Sequence, residues 1–194
     1  TNSTALTSNI RNQFAHVETC PFSGSRIFFE NAGGALTLKS AVETSGTFAA
    51  IPDNQGRDNP ASAALVDVIN RAKADMAVFF NAPAGKFFVG ESGTELSFRL
   101  IRTAIMGSKP GGAVIGSSVE HPASRSAALH WAEIASKSYI DVPHDDATGQ
   151  VTADMYAGRM TPDVRMATVL HTSPVTGIAN DVAAIAAAIR AVAP

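Results

Sequence analysis

The sequence has a single cysteine, Cys20, few aromatic residues (7%) and a formal net charge of only −2. One cysteine cannot form an internal disulfide, so nothing requires an oxidising compartment and a cytoplasmic protein is expected. The small charge gives no long-range attraction to nucleic acid or to an anionic membrane. No apolar run approaches the roughly 20 residues that span a bilayer, and the polar residues 1–12 lack the apolar stretch of a secretory signal.

The rest of the composition is typical of a globular protein. The 194 residues are 45% hydrophobic and 16% charged, which allows one domain with a substantial core. Alanine is frequent, and together with the scarcity of aromatic residues this favours helices packed on a sheet over an all-β architecture.

Short apolar segments alternate along the chain with segments of helical spacing. Strands are predicted at residues 26–30, 86–89, 113–116, 138–142 and 166–171. Helices are predicted at residues 5–18, 36–44, 60–76, 95–106, 122–135, 155–160 and 181–192, with a loop at 46–58. In the fourth of these helices, one side is predicted to carry Leu96, Leu100, Ile101 and Ile105. The alternation predicts an α/β fold of three layers, α/β/α, whose largely parallel sheet is covered on both faces.

Three loops after predicted strands carry groups suited to ligand binding, because ligands of such folds sit outside the carboxyl ends of the strands. The first loop, residues 90–95 (GESGTE), leads into a helix whose free N–H groups and positive end suit a phosphate. It matches neither the P-loop spacing nor the GxGxxG dinucleotide pattern. A plain turn in which Ser92 or Thr94 caps the helix explains the same residues.

The second loop, residues 120–124 (EHPAS), presents His121, which could stack on a planar ligand or act as an acid or base. The alternative is a surface histidine before a helix that begins at Pro122. The third loop, residues 171–177 (HTSPVTG), follows the last predicted strand and could simply lead to a helix cap at Asn180 or Asp181.

Taken in order, these loops resemble the class V aminotransferase and cysteine desulfurase family, which consists of fold-type I enzymes that use pyridoxal 5'-phosphate (PLP). Residues 29–33 (FENAG) resemble the family's Asp-Asn-Ala-Ala element, and residues 93–96 (GTEL) resemble the end of its phosphate loop. Glu120-His121 is similar to the family's acidic residue and cofactor-stacking histidine. Residues 171–177 resemble its His-x-Ser-Asn-x-x-Gly loop, so the resemblance spans about residues 11–192.

The resemblance implies a role for each matching residue. Gly93 and Thr94 would hold the PLP phosphate with Ser92 nearby, and His121 would stack on the pyridine ring. Pro174 stands where the family has an asparagine that donates to the cofactor's phenolic oxygen, and a proline has no donor to offer.

The resemblance also implies a domain plan and partners. Residues 1–25 would form an N-terminal arm, and residues 26–194 an incomplete PLP-dependent transferase-like large domain. Asn31, Ala32 and Gly33 would line the substrate side. An amino-acid substrate and a homodimer are further implications.

The family's Schiff-base lysine and the aspartate that pairs with the pyridine nitrogen lie in a part of the family that follows the third loop. All five lysines of this chain are expected to be solvated surface residues: Lys39, Lys73, Lys86, Lys109 and Lys137. No catalytic residue is therefore assigned. The chain is expected to be a catalytically incomplete front part of a cysteine desulfurase-, selenocysteine lyase- or aminotransferase-like enzyme, with the C-terminal part and small domain absent.

Two other interpretations differ in class. A naturally short, non-catalytic relative or subunit could keep the cofactor cup for structural or partner-binding use. A serine hydrolase is disfavoured because no Gly-x-Ser-x-Gly elbow occurs. No metal site is predicted, because the adjacent residues His144, Asp145 and Asp146 cannot all point at one ion and a polar turn explains them.

Overall fold

The structure of the protein, a computed structural model, describes residues 2–51 and 55–193. The chain divides into two compact units, Thr1–Phe87 and Phe88–Pro194. The expected arm of residues 1–25 and partial cofactor-binding domain of residues 26–194 follow the plan of the family, and they stay a prediction. No helix in the described ranges is both long enough and apolar enough to cross a membrane.

In its described residues, the first unit contains three helices and one small antiparallel pair of strands. These are α1 (Asn2–Arg11), β1 (Thr19–Cys20), β2 (Gly24–Ser25), α2 (Lys39–Ala49) and α3 (Pro60–Phe79). Helix α3 confirms its prediction because its start is strongly signalled. The Asn59 side chain accepts from the N–H of Ser62 at 2.8 Å, and Pro60 fits the first helical position, where no N–H is needed.

The other predicted bounds in the first unit need adjustment. The helix predicted at residues 5–18 ends at Arg11, and the helix predicted at residues 36–44 continues to Ala49. The predicted loop at residues 46–58 therefore begins later than expected, and its residues 52–54 lie outside the described part of the chain.

The strands predicted at residues 26–30 and 86–89 are wrong, because neither segment forms a strand in the structure. Ile27 is 85% exposed and Phe29 is 90% exposed, and Phe88 is similarly open to solvent. A strand requires a neighbouring strand for its backbone N–H and C=O groups. Among the described residues, no strand pairs with either segment, so the apolar pattern alone does not produce one.

In the second unit, helices alternate with short strands along the chain. The elements are α4 (Gly93–Gly107), β3 (Ala113–Ser117), α5 (Pro122–Ile134), β4 (Ser138–Val142), α6 (Ala153–Ala157), β5 (Val164–Ala167) and α7 (Val182–Val192). The strand order is β4-β3-β5 and both pairings are parallel. Ile115 of the central strand lies opposite Ile140 of β4 and Ala167 of β5. The predicted α/β fold is confirmed. Strand β5 overlaps the strand predicted at residues 166–171, but it begins earlier, at Val164, and ends earlier, at Ala167.

Side chains of the central strand β3 alternate between two hydrophobic clusters, one on each face of the sheet. Ala113 and Ile115 pack with Tyr156 of α6 and Ile185 of α7. Val114 packs on the other face with residues of α4 and α5. The sheet therefore has helices on both faces, which makes the second unit a three-layer α/β/α structure.

One residue of the predicted inner side of α4 lies outside it. Leu100 is 71% exposed, whereas Ile101 and Ile105 are buried and Phe98 packs beside them. Successive residues of a helix are rotated by about 100°, so Phe98, Ile101 and Ile105, spaced three and four apart, share one face and Leu100 points away from it.

Candidate functional site

The first candidate loop ends in a helix start whose geometry suits an anion. Ser92 is the N-cap of α4, and its side chain accepts from the N–H of Glu95 at 3.1 Å. Gly93 and Thr94 occupy the first two helical positions, whose N–H groups have no partner within a helix. A Cβ on Gly93 would meet no atom within 4 Å, so there is open space beside the first residue of the helix. The capping interpretation is therefore confirmed for Ser92, and two free donors remain beside it at the positive end of the helix.

The loop before α4 is tightly packed at Gly90. A Cβ at this position would overlap Glu95 Oε2 and would lie 2.8 Å from Leu96 Cδ2. The Glu95 carboxylate also accepts from Arg99 Nη1 at 3.0 Å, one helical turn further on. The charge of Glu95 is thus countered by a neighbouring guanidinium, which reduces its repulsion of an anion at the helix start.

His121 lies at the carboxyl edge of the sheet, in the loop between β3 and α5. It is the N-cap of α5, and its Nδ1 accepts from the N–H of Ala123 at 3.1 Å. An accepting Nδ1 leaves the proton of the neutral ring on Nε2. The residue is exposed, and the hydrogen bond to the helix start engages only Nδ1 of its ring.

The residue before His121 is buried, which the sequence did not indicate. Glu120 is 4% exposed, and the Ser117 hydroxyl donates to its Oε1 at 3.2 Å. Burial raises the pKa of the Glu120 carboxyl, and hydrogen bonds from Ser117 and from the backbone of Leu170 oppose the shift. In the sequence, Glu120 stands out only because it precedes His121 in a motif that resembles the family's, and this motif does not indicate that Glu120 is buried.

The third loop is joined to the second by Ser173. This buried hydroxyl donates to the carbonyl of Val119 at 3.1 Å and accepts from the N–H groups of Val175 and Thr176. The structure therefore brings the loop of His121 together with the loop that contains Pro174. Pro174 itself is exposed, and as a proline it offers neither a side-chain donor nor an N–H.

The residues His144, Asp145 and Asp146 form a polar turn, as expected. Asp145 accepts from the N–H groups of Ala147 and Thr148. His144 is occupied by Ser118, whose Oγ lies 2.8 Å from its Nδ1. In the part of the chain that the structure describes, no group of three His, Cys, Asp or Glu side chains is arranged to hold a metal ion.

Asn31, Ala32 and Gly33 belong to the first unit, where they form an exposed turn. The N–H groups of Gly33 and Gly34 both donate to the carbonyl of Glu30 at 3.1 Å. Their assignment to a substrate side stays a prediction.

One lysine differs from its prediction. Lys137 is 7% exposed, and its Nζ donates to the carbonyls of Lys109 and Gly111. It is buried because these two carbonyls before β3 replace water as partners of the ammonium group. Lys137 precedes β4, so it lies at the amino edge of the sheet, opposite the loops of His121 and Ser173. The other four lysines are exposed, as predicted.

Comparison with known proteins gives one family match. The family model described as Aminotransferase class-V matches residues 27–193. Among curated proteins, the nonribosomal peptide synthetase-like enzyme fsqF of Aspergillus fumigatus is 29% identical over 166 residues, which cover 81% of this chain and 11% of that protein. The chain therefore spans a small part of the length of this relative.

Solved structures share the fold. The cysteine desulfurase of Thermococcus onnurineus NA1 has a TM-score of 0.76 at 17% identity, with 95% of this chain and 44% of that chain covered. The cysteine desulfurase CsdA of Escherichia coli has a TM-score of 0.69 at 21% identity, covering 93% of this chain and 45% of that one. A C-DES mutant with glycine linked to its PLP cofactor has a TM-score of 0.74 at 19% identity, and 93% and 46% are covered. This chain spans less than half of each.

Proposed function

We propose that this chain, which belongs to the aminotransferase class-V family, is the PLP-binding front part of an enzyme that acts on an amino acid. The observation that carries the proposal is the start of α4, where Gly93 and Thr94 present N–H groups with no partner in the helix beside open space. This arrangement fits a phosphate group. An exposed imidazole with a fixed orientation, that of His121, fits a planar ring.

Each residue of the proposed site has a separate task. The N–H groups of Gly93 and Thr94, with the Thr94 hydroxyl, would bind the phosphate, while Ser92 keeps the helix start in shape. His121 would stack on the pyridine ring, with the ring plane set by the hydrogen bond from Ala123. When bound, PLP supplies an electron sink for the Cα of an amino acid.

Pro174 changes how the cofactor's phenolic oxygen can be bound. Neither the side chain nor the backbone of Pro174 can donate a hydrogen bond. We propose that this oxygen is bound by another donor, and that Asn31, Ala32 and Gly33 serve the substrate side. The proposed reaction is desulfuration, lyase, epimerase or transaminase chemistry on the amino acid.

We further propose that a lysine outside residues 1–194 completes the active site, in a homodimeric cytoplasmic protein. Lys137 is fixed at the amino edge of the sheet by two carbonyls, away from His121. A second candidate function follows from the same observation. A non-catalytic relative or subunit would keep the cofactor cup for structural or partner-binding use and would need no lysine there.

The experiment is a titration of the purified chain with PLP, followed by visible circular dichroism. PLP is achiral, so a signal arises only when the protein holds the ring in an asymmetric environment. We expect saturable binding, weakened about tenfold in Thr94→Val, because a hydrogen bond to a charged group contributes about 1.5 kcal/mol. Thr103→Val, on the exposed side of the same helix, is the matched control and should bind as the wild type does.

Absence of saturable PLP binding both in this chain and in the gene product as the cell makes it would refute the proposed function. Borohydride treatment and peptide mass spectrometry then separate the two candidates. In the gene product as the cell makes it, PLP attached to one lysine indicates the enzyme. Bound PLP that borohydride attaches to no lysine indicates the non-catalytic relative.

A further inference from the structure

The hydroxyl of Ser173 uses its whole hydrogen-bonding capacity between two loops of the proposed site. It accepts from the backbone N–H of Val175 at 3.1 Å and from that of Thr176 at 3.2 Å. It donates to the carbonyl of Val119 at 3.1 Å. A hydroxyl has one donor and two acceptor positions. Because two N–H groups occupy both acceptor positions, the hydroxyl hydrogen is directed at Val119. Only 2% of Ser173 is exposed, so solvent competes little for these bonds.

The third loop has a shape of its own, which its backbone hydrogen bonds maintain. Thr172 and Ala179 pair across its base. The N–H of Ser173 donates to the carbonyl of Ile178 at 3.0 Å. The bond from the Ser173 hydroxyl to Val119 is therefore not needed to close this loop. It fixes instead where the loop lies against the second loop.

The other end of this bond lies two residues before His121. The side chain of Val119 is fully buried in the hydrophobic cluster that contains Ile185, and its carbonyl is held by Ser173. Two residues span at most about 7 Å, which leaves little room for independent movement. His121 in turn caps α5 by accepting from the N–H of Ala123. The place of the imidazole therefore depends on where the chain leaves Val119.

We propose that Ser173 is a positioning residue of the proposed cofactor site, whose hydroxyl holds the loop of His121 in place against the loop of Pro174. This inference rests on the proposed function. In that function His121 stacks on the pyridine ring, and Pro174 stands where the family binds the phenolic oxygen, so both loops meet one planar molecule. Such a ligand binds more tightly when its binding groups are already held in place, because less ordering is then required. Loss of the hydroxyl should therefore weaken PLP binding although the Ser173 side chain itself has no contact with PLP in this proposal.

The experiment compares Ser173→Ala with Ser108→Ala. Ser108 also donates its hydroxyl to a backbone carbonyl, that of Ile105 at 2.7 Å. It follows the last residue of α4, at the end of the helix opposite to Gly93, so its loss leaves the proposed site untouched. PLP affinity, the visible circular dichroism of bound PLP, amide exchange at Ala123 and the thermal midpoint are measured on both variants and on the wild type.

In S173A we expect PLP to bind about 5- to 10-fold more weakly, which is the effect of about one hydrogen bond. The dichroism at saturation should be smaller, because the ring of His121 is held less firmly. Without PLP, the amide of Ala123 should exchange faster than in the wild type, since its acceptor moves with the loop. S108A should match the wild type in these three measurements, whatever the change in its thermal midpoint.

A second variant, Ser173→Cys, gives the same test if S173A does not fold. A thiol fills nearly the same space as the hydroxyl, but it is a weak donor and a weak acceptor. We therefore expect S173C to show the same three changes as S173A.

Two results would overturn the inference. One is wild-type affinity, dichroism and Ala123 exchange in a folded Ser173 variant. The other is a loss of PLP affinity that S108A shows to the same extent, because a general loss of stability would then explain it. If the wild type binds no PLP, the proposed function fails by itself. Amide exchange at Ala123 then decides, and it must be faster in the Ser173 variants than in S108A for Ser173 to hold the loop of His121.

Discussion

His121 has two tasks that its two ring nitrogens keep apart. Nδ1 accepts from the N–H of Ala123 and so completes the start of α5, while Nε2 is not used by this bond and the residue is exposed. Asparagine and histidine side chains both offer a short acceptor, but only histidine offers an aromatic face. The helix cap and the proposed stacking can therefore be removed separately by substitution.

We expect His121→Ala to lower the free energy of unfolding by about 1 kcal/mol, because the N-cap of α5 is lost. His121→Asn should stay within about 0.5 kcal/mol of the wild type, because asparagine is a preferred N-cap residue. Both variants should bind PLP weakly, since neither has the ring. Urea unfolding and PLP titration measure the two effects. Equal stability of the two variants would show that the cap contributes nothing.

The buried Glu120 gives stability a pH dependence with a defined sign. Burial raises its folded-state pKa above the ordinary 4.5. The folded protein therefore holds the proton more tightly than the unfolded chain, so the stabilisation is fully present below pH 4.5 and is lost as the pH rises through the folded-state pKa. Each unit of such a shift corresponds to about 1.4 kcal/mol.

Glu120→Gln removes this titration. The quantity of interest is the free energy of unfolding of E120Q minus that of the wild type. We expect this difference to become more positive as the pH rises from about 4 towards about 8, a range that covers ordinary and raised carboxyl pKa values. Urea unfolding across this range measures the difference. Glu133→Gln, at an exposed position on α5, serves as the reference for an exposed carboxyl. A stability difference that is independent of pH would contradict the raised pKa of Glu120.

At the residue scale, the sequence indicates which residue types suit a ligand, but it does not indicate which polar side chains are buried. His121, Ser92 and Thr94 were singled out because their types suit ligands at helix starts. Lys137 was expected on the surface because lysine is usually solvated there, and only the carbonyls of Lys109 and Gly111, 26 to 28 residues away, make its burial possible. Such non-local partners leave no local signal in the sequence.

At the scale of elements, the reliable predictions are those with both a periodic core face and a strong start signal. Strand β4 was predicted with its observed bounds, and α4 and α5 within two residues, since caps and prolines mark their ends. The segments 26–30 and 86–89 carry the same apolar signal as β3, but strand formation depends on a pairing partner. That dependence is the reason why two predicted strands fail where three succeed.

An added methyl group should be tolerated better at Gly93, the first residue of α4, than at Gly90 in the loop before it. In Gly90→Ala, the new Cβ would overlap Glu95 Oε2 and approach Leu96 Cδ2 to 2.8 Å. Both contacts are to side chains that can shift, so we expect a loss of about 1 kcal/mol, the low end of the usual cost of overpacking. In Gly93→Ala the Cβ meets nothing within 4 Å, so the stability should change by less than about 0.5 kcal/mol. Urea unfolding distinguishes them, and a Gly90→Ala protein as stable as Gly93→Ala would show that this loop is not packed as described.

At the scale of the whole molecule, burial is unevenly distributed between the two units. In the second unit, all five residues of β3 are buried and two hydrophobic clusters cover the faces of the sheet. In the first unit, Ser62 is the one buried residue among those whose burial the structure describes, 4–51 and 55–87. The apolar pattern predicted core on helices of both units, because amphipathic spacing does not reveal whether anything covers the apolar face.

This difference predicts the order in which the chain opens. Backbone amides are protected by the free energy of the smallest opening that exposes them, and segments with few buried apolar contacts open first. We expect the amides of β3 and β4 to exchange only on global unfolding of the second unit, and those of α1 and α2 to exchange much faster. Hydrogen exchange with mass spectrometry on the intact chain measures both sets together. Helices α1 and α2 protected as strongly as β3 would mean that their apolar faces are covered in solution, which would point to a partner surface on the first unit.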